Sequence, residues 1–187
     1  MRVLAISGSL RSDSNNTALL RALRGEAPVG VEVEIWHGLK EIPPYDADDD
    51  VVPGPDTVES FRQLVREVDA VFFATPEYNS SVPGALKNAL DWASRPLATN
   101  AFRNKPVAVI GSSAGAFGGV WAAAELRKVL GAMGARVVEA ELAVGHASEK
   151  FDDEGRLADD DVRQGLRDAL DALVTEVAPV LSDAVGV

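Results

Sequence analysis

The sequence predicts an α/β domain built on a parallel sheet, and three observations carry that reading. Short, nearly continuous apolar runs recur at Val3 to Ile6, Ala70 to Ala74 and Val107 to Ile110, the pattern of strands buried on both faces. Each run is followed by a stretch whose apolar residues fall at helical spacing. The loops that separate strand from helix after the first, third and fourth strands are rich in glycine, serine and asparagine beyond what a connection needs. Alternation of strand and helix implies helices on both faces of the sheet, joined by right-handed crossovers.

The first strand runs from Arg2 to Ser7, and the first helix starts near Ser14 with Leu19, Leu20 and Leu23 on one face, ending at Gly25. Val31, Val33 and Ile35 alternate with Glu32, Glu34 and Trp36, so the second strand is half exposed. Residues His37 to Pro55, with Pro43, Pro44, Pro53 and Pro55, read as an irregular loop. Its acidic run, Asp46, Asp48, Asp49 and Asp50, lacks the spacing and closing glutamate of a calcium loop, and no metal site is expected. The second helix carries Val58, Phe61, Leu64, Val65 and Val68. The third strand, Asp69 to Thr75, stops at Pro76, which cannot donate to a ladder. Pro83-Gly84 opens a third helix with Leu86, Ala89, Leu90 and Ala93 inward. A fourth strand, Pro106 to Ile110, precedes a helix carrying Ala122, Leu126, Val129, Leu130 and Met133. A fifth strand is expected near Arg136 to Val144, and the last helix begins near Asp159 or Asp160.

Whole-chain properties narrow the function. The 187 residues, 47% hydrophobic, fit one domain with a sizeable core, and no repeat or interdomain linker breaks them. The chain has no cysteine, which excludes disulfides, thiolate metal sites and a cysteine nucleophile, and suits a reducing cytoplasm. No run approaches the roughly 20 apolar residues of a membrane span, and the first residues lack the form of a signal peptide. Twenty-nine acids against 18 bases give a formal charge of -11, so nucleic acid is not an expected partner.

The loop after the first strand, Gly8 to Thr17, holds Ser9, Arg11, Ser14, Asn15 and Asn16 at a helix start. Unpaired backbone N–H groups, hydroxyls and a guanidinium suit a phosphate. An ordinary strand-to-helix turn capped by Ser14 or Asn15 accounts for the same residues. The loop after the third strand, Pro76-Glu77-Tyr78-Asn79, suits either the edge of a flat heterocycle or a rigid turn. Gly111 to Gly119, with Ser112, Ser113 and Gly115, suits either close passage of a planar ligand or loose packing of the fourth helix on the sheet. With strand order 2-1-3-4-5, the three loops meet in one crevice at the carboxyl ends of the strands, where ligands of such sheets bind. Neither G-x-G-x-x-G nor G-x-x-x-x-G-K-[ST] is present, which points away from a dinucleotide fold and a P-loop toward a mononucleotide.

Gly8-Ser9-Leu10-Arg11, Pro76-Glu77-Tyr78-Asn79 with Pro83-Gly84, Leu86-Lys87-Asn88-Ala89 and Asp91-Trp92, and Ser112, Gly115 and Gly118-Gly119 resemble the NADPH-dependent FMN reductase family, a circle that includes quinone and chromate reductases and azoreductases. The resemblance covers roughly Arg2 to Gly155. It implies a flavodoxin-like three-layer fold over residues 1–187, with FMN as cofactor and NADPH or NADH as co-substrate. Ser9, Arg11, Ser14, Asn15 and Asn16 would hold the FMN phosphate; Pro76, Glu77, Tyr78 and Asn79 would border the isoalloxazine, mainly by backbone groups; Ser112, Ser113 and Gly115 would close the other side. Hydride would pass from NAD(P)H through the flavin to a quinone, an azo compound or a metal oxyanion, with no catalytic side chain required. A homodimer or homotetramer is implied too, although Trp121 and Ala123 stand where the family carries arginine and glutamine. The alternative from another class is a flavodoxin-type electron carrier, whose docking an acidic surface would favour. Neither histidine, His37 or His146, lies in the three loops.

Overall fold

The computed structural model describes residues 1–184, with side chains through Val177. Strands β1 (Arg2–Ser7), β2 (Glu32–Trp36), β3 (Ala70–Thr75), β4 (Pro106–Ser112) and β5 (Arg136–Val137) form a sheet in the order β2-β1-β3-β4-β5, and β6 (Ala143–Val144) also pairs with β4. Every pairing between these strands is parallel. The expected order of a flavodoxin-like sheet is thus observed.

A parallel sheet needs a helix for each return, and period-two alternation decides which side chains meet which helices. Leu4, Ile6, Val71, Phe73, Val107 and Val109 face one core, closed by α2 (Asp56–Glu67), α3 (Gly84–Ala93) and α4 (Val120–Ala132). Val3, Ala5, Phe72, Ala74, Ala108 and Ile110 face the other, closed by α1 (Asn15–Gly25) and α5 (Asp160–Ala184). The apolar runs are continuous because both faces are covered. Each large side chain so buried contributes about 1.5–3 kcal/mol.

Two segments differ from the sequence expectation. The stretch 37–55 is irregular, as expected, but it is firmly held: Leu39 and Ile42 are buried, and the Pro43 carbonyl accepts from Asn88 Nδ2 (2.8 Å) and Trp92 Nε1 (2.9 Å). Asp50, in the acidic run, pairs at 2.9 Å with the buried Arg62, whose guanidinium also donates to the Trp92 carbonyl. The fifth strand is not continuous over 136–144 but splits into β5 and β6. Between them Arg127 Nη2 donates to Val109 O (2.7 Å) and Ala140 O (2.9 Å), so a guanidinium occupies a carbonyl of β4 that a ladder would have used. Burial of that side chain lowers the pKa of its guanidinium.

Candidate functional site

The three loops singled out from the sequence leave β1, β3 and β4, which are adjacent in the sheet. Ser9, Arg11, Ser14, Asn15, Asn16, Pro76, Glu77, Tyr78, Ser112, Ser113 and Ala114 line one cleft of about 200 Å³ between them. Asn79 and Gly115 are each one position beyond this lining, while Ala114, not anticipated, belongs to it.

The first wall is the start of α1. Ser14 is the N-cap, its Oγ accepting from Thr17 N at 3.2 Å. The turn reading and the cradle reading of this loop are therefore compatible: the cap satisfies one donor, and the N–H groups of Asn15 and Asn16 have no partner among the described residues. No acidic residue occupies the first turn, so the positive end of the helix dipole is not offset from within the helix. Ser9 N donates to Ser7 Oγ (3.2 Å), which fixes the loop, and Arg11 is exposed with no carboxylate partner among the described residues.

The second wall is rigid for a local reason. Tyr78 and Ser81 exchange two backbone hydrogen bonds of 3.1 Å, with Asn79 (φ 52°) and Ser80 (φ 60°) between them in left-handed conformations. This is the two-residue turn in which both central residues need positive φ, and asparagine tolerates it well. Two carboxylates clamp the turn to α4. Glu77 Oε2 accepts from Trp121 N (3.1 Å) and Ala122 N (3.3 Å), capping a helix whose own N-cap, Gly119, has no side chain to do so. Glu125 Oε2 accepts from Ser81 Oγ (2.6 Å) and Val82 N (3.3 Å), and the Ser81 hydrogen bond, followed by that from Val82, lowers its pKa. The Glu77 side chain is thus spent on α4, while the residue still belongs to the lining of the cleft.

The third wall carries the clearest sign of a missing partner. Ser112 is fully buried, and its Oγ has no hydrogen-bond partner; nor does Oδ1 of Asn16, 4% exposed. Asn16 Nδ2 donates to the Ser112 carbonyl at 3.3 Å, which assigns the amide orientation and leaves Oδ1 calling for a donor. Unsatisfied buried polar atoms cost about 1–3 kcal/mol each unless something outside the chain completes them. An acceptor such as Asn16 Oδ1 is completed by a hydroxyl rather than a phosphate oxygen, whereas the Ser112 hydroxyl can donate to either. FMN offers both a phosphate and a polyol chain, so the donor set fits it.

The glycines of this wall have a different origin from the one the sequence suggested. A Cβ on Gly118 (φ 60°) would lie 2.5 Å from the Ala143 carbonyl carbon, and one on Gly145 would lie 2.3 Å from Ala116 O. Backbone from 115–118 crosses directly over 143–146, tied by His146 N to Gly115 O at 3.1 Å. Close approach is required, but by the chain itself. Only Gly115 has open space, its nearest neighbour for a Cβ being Ser113 Oγ at 3.8 Å.

His37 and Lys40, not singled out as site residues from the sequence, end up next to the first loop. They line a second cavity of about 320 Å³ with Ser9, Arg11 and Arg21, because the end of β2 lies beside the end of β1. The strand order was the signal that could have found them. His146 is exposed with φ 47°, and Lys87 pairs with Asp91 at 2.6 Å on the surface of α3, as expected of a helix-surface lysine.

Comparison with known proteins agrees with this geometry. A family model described as NADPH-dependent FMN reductase matches residues 1–149. The chain is 43% identical over 174 residues to an NAD(P)H-dependent FMN reductase of Pseudomonas aeruginosa, covering 92% of this chain and 93% of the relative. It is 40% identical over 158 residues to a quinone reductase of Pseudomonas putida, covering 84% of each. Among solved structures, a flavoenzyme NAD(P)H:(acceptor) oxidoreductase of Paracoccus denitrificans superposes with a TM-score of 0.85 at 34% identity, covering 95% of this chain and 97% of that one.

Proposed function

The chain belongs to the NADPH-dependent FMN reductase family and is an oxidoreductase of that kind, and we propose that the cleft holds FMN for hydride transfer from NAD(P)H to a quinone or similar small acceptor. The observation that carries the site assignment is the pairing of an unpartnered Arg11 with an orphaned, fully buried Ser112 hydroxyl in one cleft. Bound FMN supplies two-electron chemistry, so the chain itself needs to bind and orient rather than provide a nucleophile.

The residues divide that work. Arg11, the N–H groups of Asn15 and Asn16 and the hydroxyls of Ser9 and Ser14 take the phosphate by charge-assisted bonds and the helix dipole. Asn16 Oδ1 and Ser112 Oγ take hydroxyls of the ribityl chain. Pro76, Glu77 and Tyr78 border one edge of the ring by backbone groups, and Ser113 and Ala114 the other; Asn79 and Gly115 hold the loops in shape next to them. The relatives named above are reductases, which disfavours the electron-carrier alternative.

We further propose that residues 1–187 act as one FMN-binding domain in the cytoplasm, in keeping with the absence of cysteine, and that acceptors extend to azo compounds or metal oxyanions. No helix among the described residues is long and apolar enough to cross a membrane. Assembly as a homodimer or homotetramer is supported by Phe117, Val120 and Trp121, which form an exposed apolar patch beside Glu77, the two rings 5.1 Å apart.

The test is a visible spectrum followed by anaerobic mixing. The protein reconstituted with FMN should be yellow, bleach on addition of NADPH without a partner reductase, and recover its colour on addition of a quinone. A yellow protein that does not bleach would reassign it as a carrier. A protein that stays colourless would end the FMN reading.

A further inference from the structure

The geometry points to the second cavity, between the first loop and the end of β2, as a site for a phosphate monoester, and we propose that it receives the 2′-phosphate of NADPH. This inference rests on the NAD(P)H-dependent reading of the adjoining cleft. The cavity measures about 320 Å³ and is lined by Arg11, Arg21, His37 and Lys40 together with the hydroxyls of Ser9, Ser12 and Thr17. Such a concentration of base is out of character in a chain of net charge -11.

Several bases elsewhere are answered, although Arg24, Arg66, Arg103 and Lys128 also form no ion pair among the described residues. Arg62 pairs with Asp50 and Glu59, Arg163 and Arg167 with Glu26, and Lys150 with Asp159. Arg11, Arg21 and Lys40 form no ion pair among the described residues, and no side-chain hydrogen bond of Arg21 or Lys40 is formed there either. Glu41 is the one carboxylate on the lining and pairs with none of them. With Arg11 given to the FMN phosphate, Arg21 and Lys40 remain as two exposed cations on one concavity, and a second anion there would relieve their mutual repulsion.

The character of the donors distinguishes this cavity from the cleft beside it. The cleft includes the N-terminal turn of α1, at Asn15 and Asn16, and two orphaned buried atoms. The cavity has neither Asn15 nor Asn16 in its lining, and its donors are the ends of long side chains on α1, on β2's exit and on the 3₁₀ turn Gly38–Glu41. Backbone donors suit the phosphate of a cofactor that stays. Exposed cations on long side chains suit a phosphate monoester of a co-substrate that must enter and leave at each turnover. The two concavities share Ser9 and Arg11, so a ligand in one lies next to a ligand in the other. A monoester carries close to two negative charges at neutral pH, whereas the corresponding 2′-hydroxyl of NADH carries none. The site would therefore select NADPH over NADH. The same chemistry could come from the FMN phosphate, and the experiment separates the two.

The variants Arg21→Ala, Lys40→Ala and Lys40→Glu change exposed side chains outside the FMN cleft, and circular dichroism checks that they fold. Titration of 2′,5′-ADP and of 5′-AMP into apoprotein and FMN-loaded protein should show at least tenfold tighter binding of 2′,5′-ADP to the parent, weakened by salt and lost in the variants. In steady state, kcat/KM for NADPH should fall at least tenfold more than that for NADH, through KM, and furthest in Lys40→Glu. Equal affinity of the parent for the two nucleotides, or equal losses with NADPH and NADH, would overturn the proposal. So would variants that lose FMN affinity instead, measured by quenching of flavin fluorescence, since the cavity would then serve the FMN phosphate. If the parent binds no FMN at all, the oxidoreductase reading fails, while the apoprotein titration still decides the monoester site.

Discussion

The loops after β1 and β4 face each other across the same cleft, both depart from ordinary connector composition, and they do so for opposite reasons. The loop after β1 has polar groups with little to bind: Arg11 without a carboxylate, and N–H groups of Asn15 and Asn16 without acceptors among the described residues. The loop after β4 is committed to the chain, its glycines letting backbone pass over 143–145 at distances a Cβ would forbid. Unusual composition thus marks either a binding surface left incomplete by the chain or a crossing the chain makes with itself. Ser112 is the exception that joins the two, since it belongs to the committed loop yet has an uncompleted hydroxyl.

Substitutions should separate the two kinds of loop. The largest effect is expected at Gly118. Gly118→Val meets both a positive φ and a backbone atom 2.5 Å from its Cβ, and should destabilise the apoprotein by about 3 kcal/mol, read by urea denaturation. Gly115→Ala, with open space around it, should cost well under half as much; equal losses at the two positions would erase the distinction drawn between crossing and lining. Arg11→Ala should do the reverse: apoprotein stability within about 0.5 kcal/mol of the parent, but FMN affinity weaker by about 1.5–3 kcal/mol, through loss of a charge-assisted bond. Retained FMN affinity in an isothermal titration would remove Arg11 from the phosphate site.

Ser112→Ala is the sharpest of the set, because it should move stability and binding in opposite directions. Removing an unpaired buried hydroxyl should leave the apoprotein unchanged or more stable, while FMN binding weakens by about 1 kcal/mol. Glu77→Ala uncaps α4 and should lower stability by about 1 kcal/mol, with Glu77→Gln recovering part of it; no change on thermal melting would mean that the Trp121 and Ala122 N–H groups are satisfied by water at no cost.

The smallest expected effect is a pH dependence away from the cleft. Glu26 is held below its ordinary value of 4.5, chiefly by its hydrogen bond from Arg163 and then by that from Arg167, joining α1 to α5. A carboxylate depressed in the folded state contributes stability that is fully present above its unfolded pKa and is lost as pH falls through the folded value. Stability should therefore drop on acidification below about pH 4.5, and Glu26→Gln should flatten that limb. An unchanged acid limb in the variant would assign the dependence to other carboxylates.

Much of the architecture was legible because it follows from periodicity. Continuous apolar runs and helical spacing place β1, β3, β4 and the starts of α1, α3 and α5 to within a residue or two and identify the inward faces of α2 and α4, and Ser14 was one of the two residues expected to cap α1. The fifth strand was not, since no local pattern announces that Arg127, earlier in the chain and on another element, will take the Val109 carbonyl. The site divides similarly. The lining of the cleft was largely anticipated, because its residues are contiguous in three short loops. The second carboxylate clamp, from Glu125 to Ser81, and the position of His37 and Lys40 beside the first loop were not, because each depends on residues brought together from distant parts of the chain.

By itself, the sequence determined the fold class, the buried faces of its elements, the absence of cysteine chemistry and the three loops that carry the family's residues. Those are properties of local spacing and residue chemistry, which survive without coordinates. The tertiary structure decided which polar groups remain without partners, which glycines serve the chain rather than a ligand, and which cations gather beside the cleft. Partnering is a matter of distance between residues far apart in the chain. The order β2-β1-β3-β4 sets those distances, and it is a global outcome of packing two helical layers on one sheet.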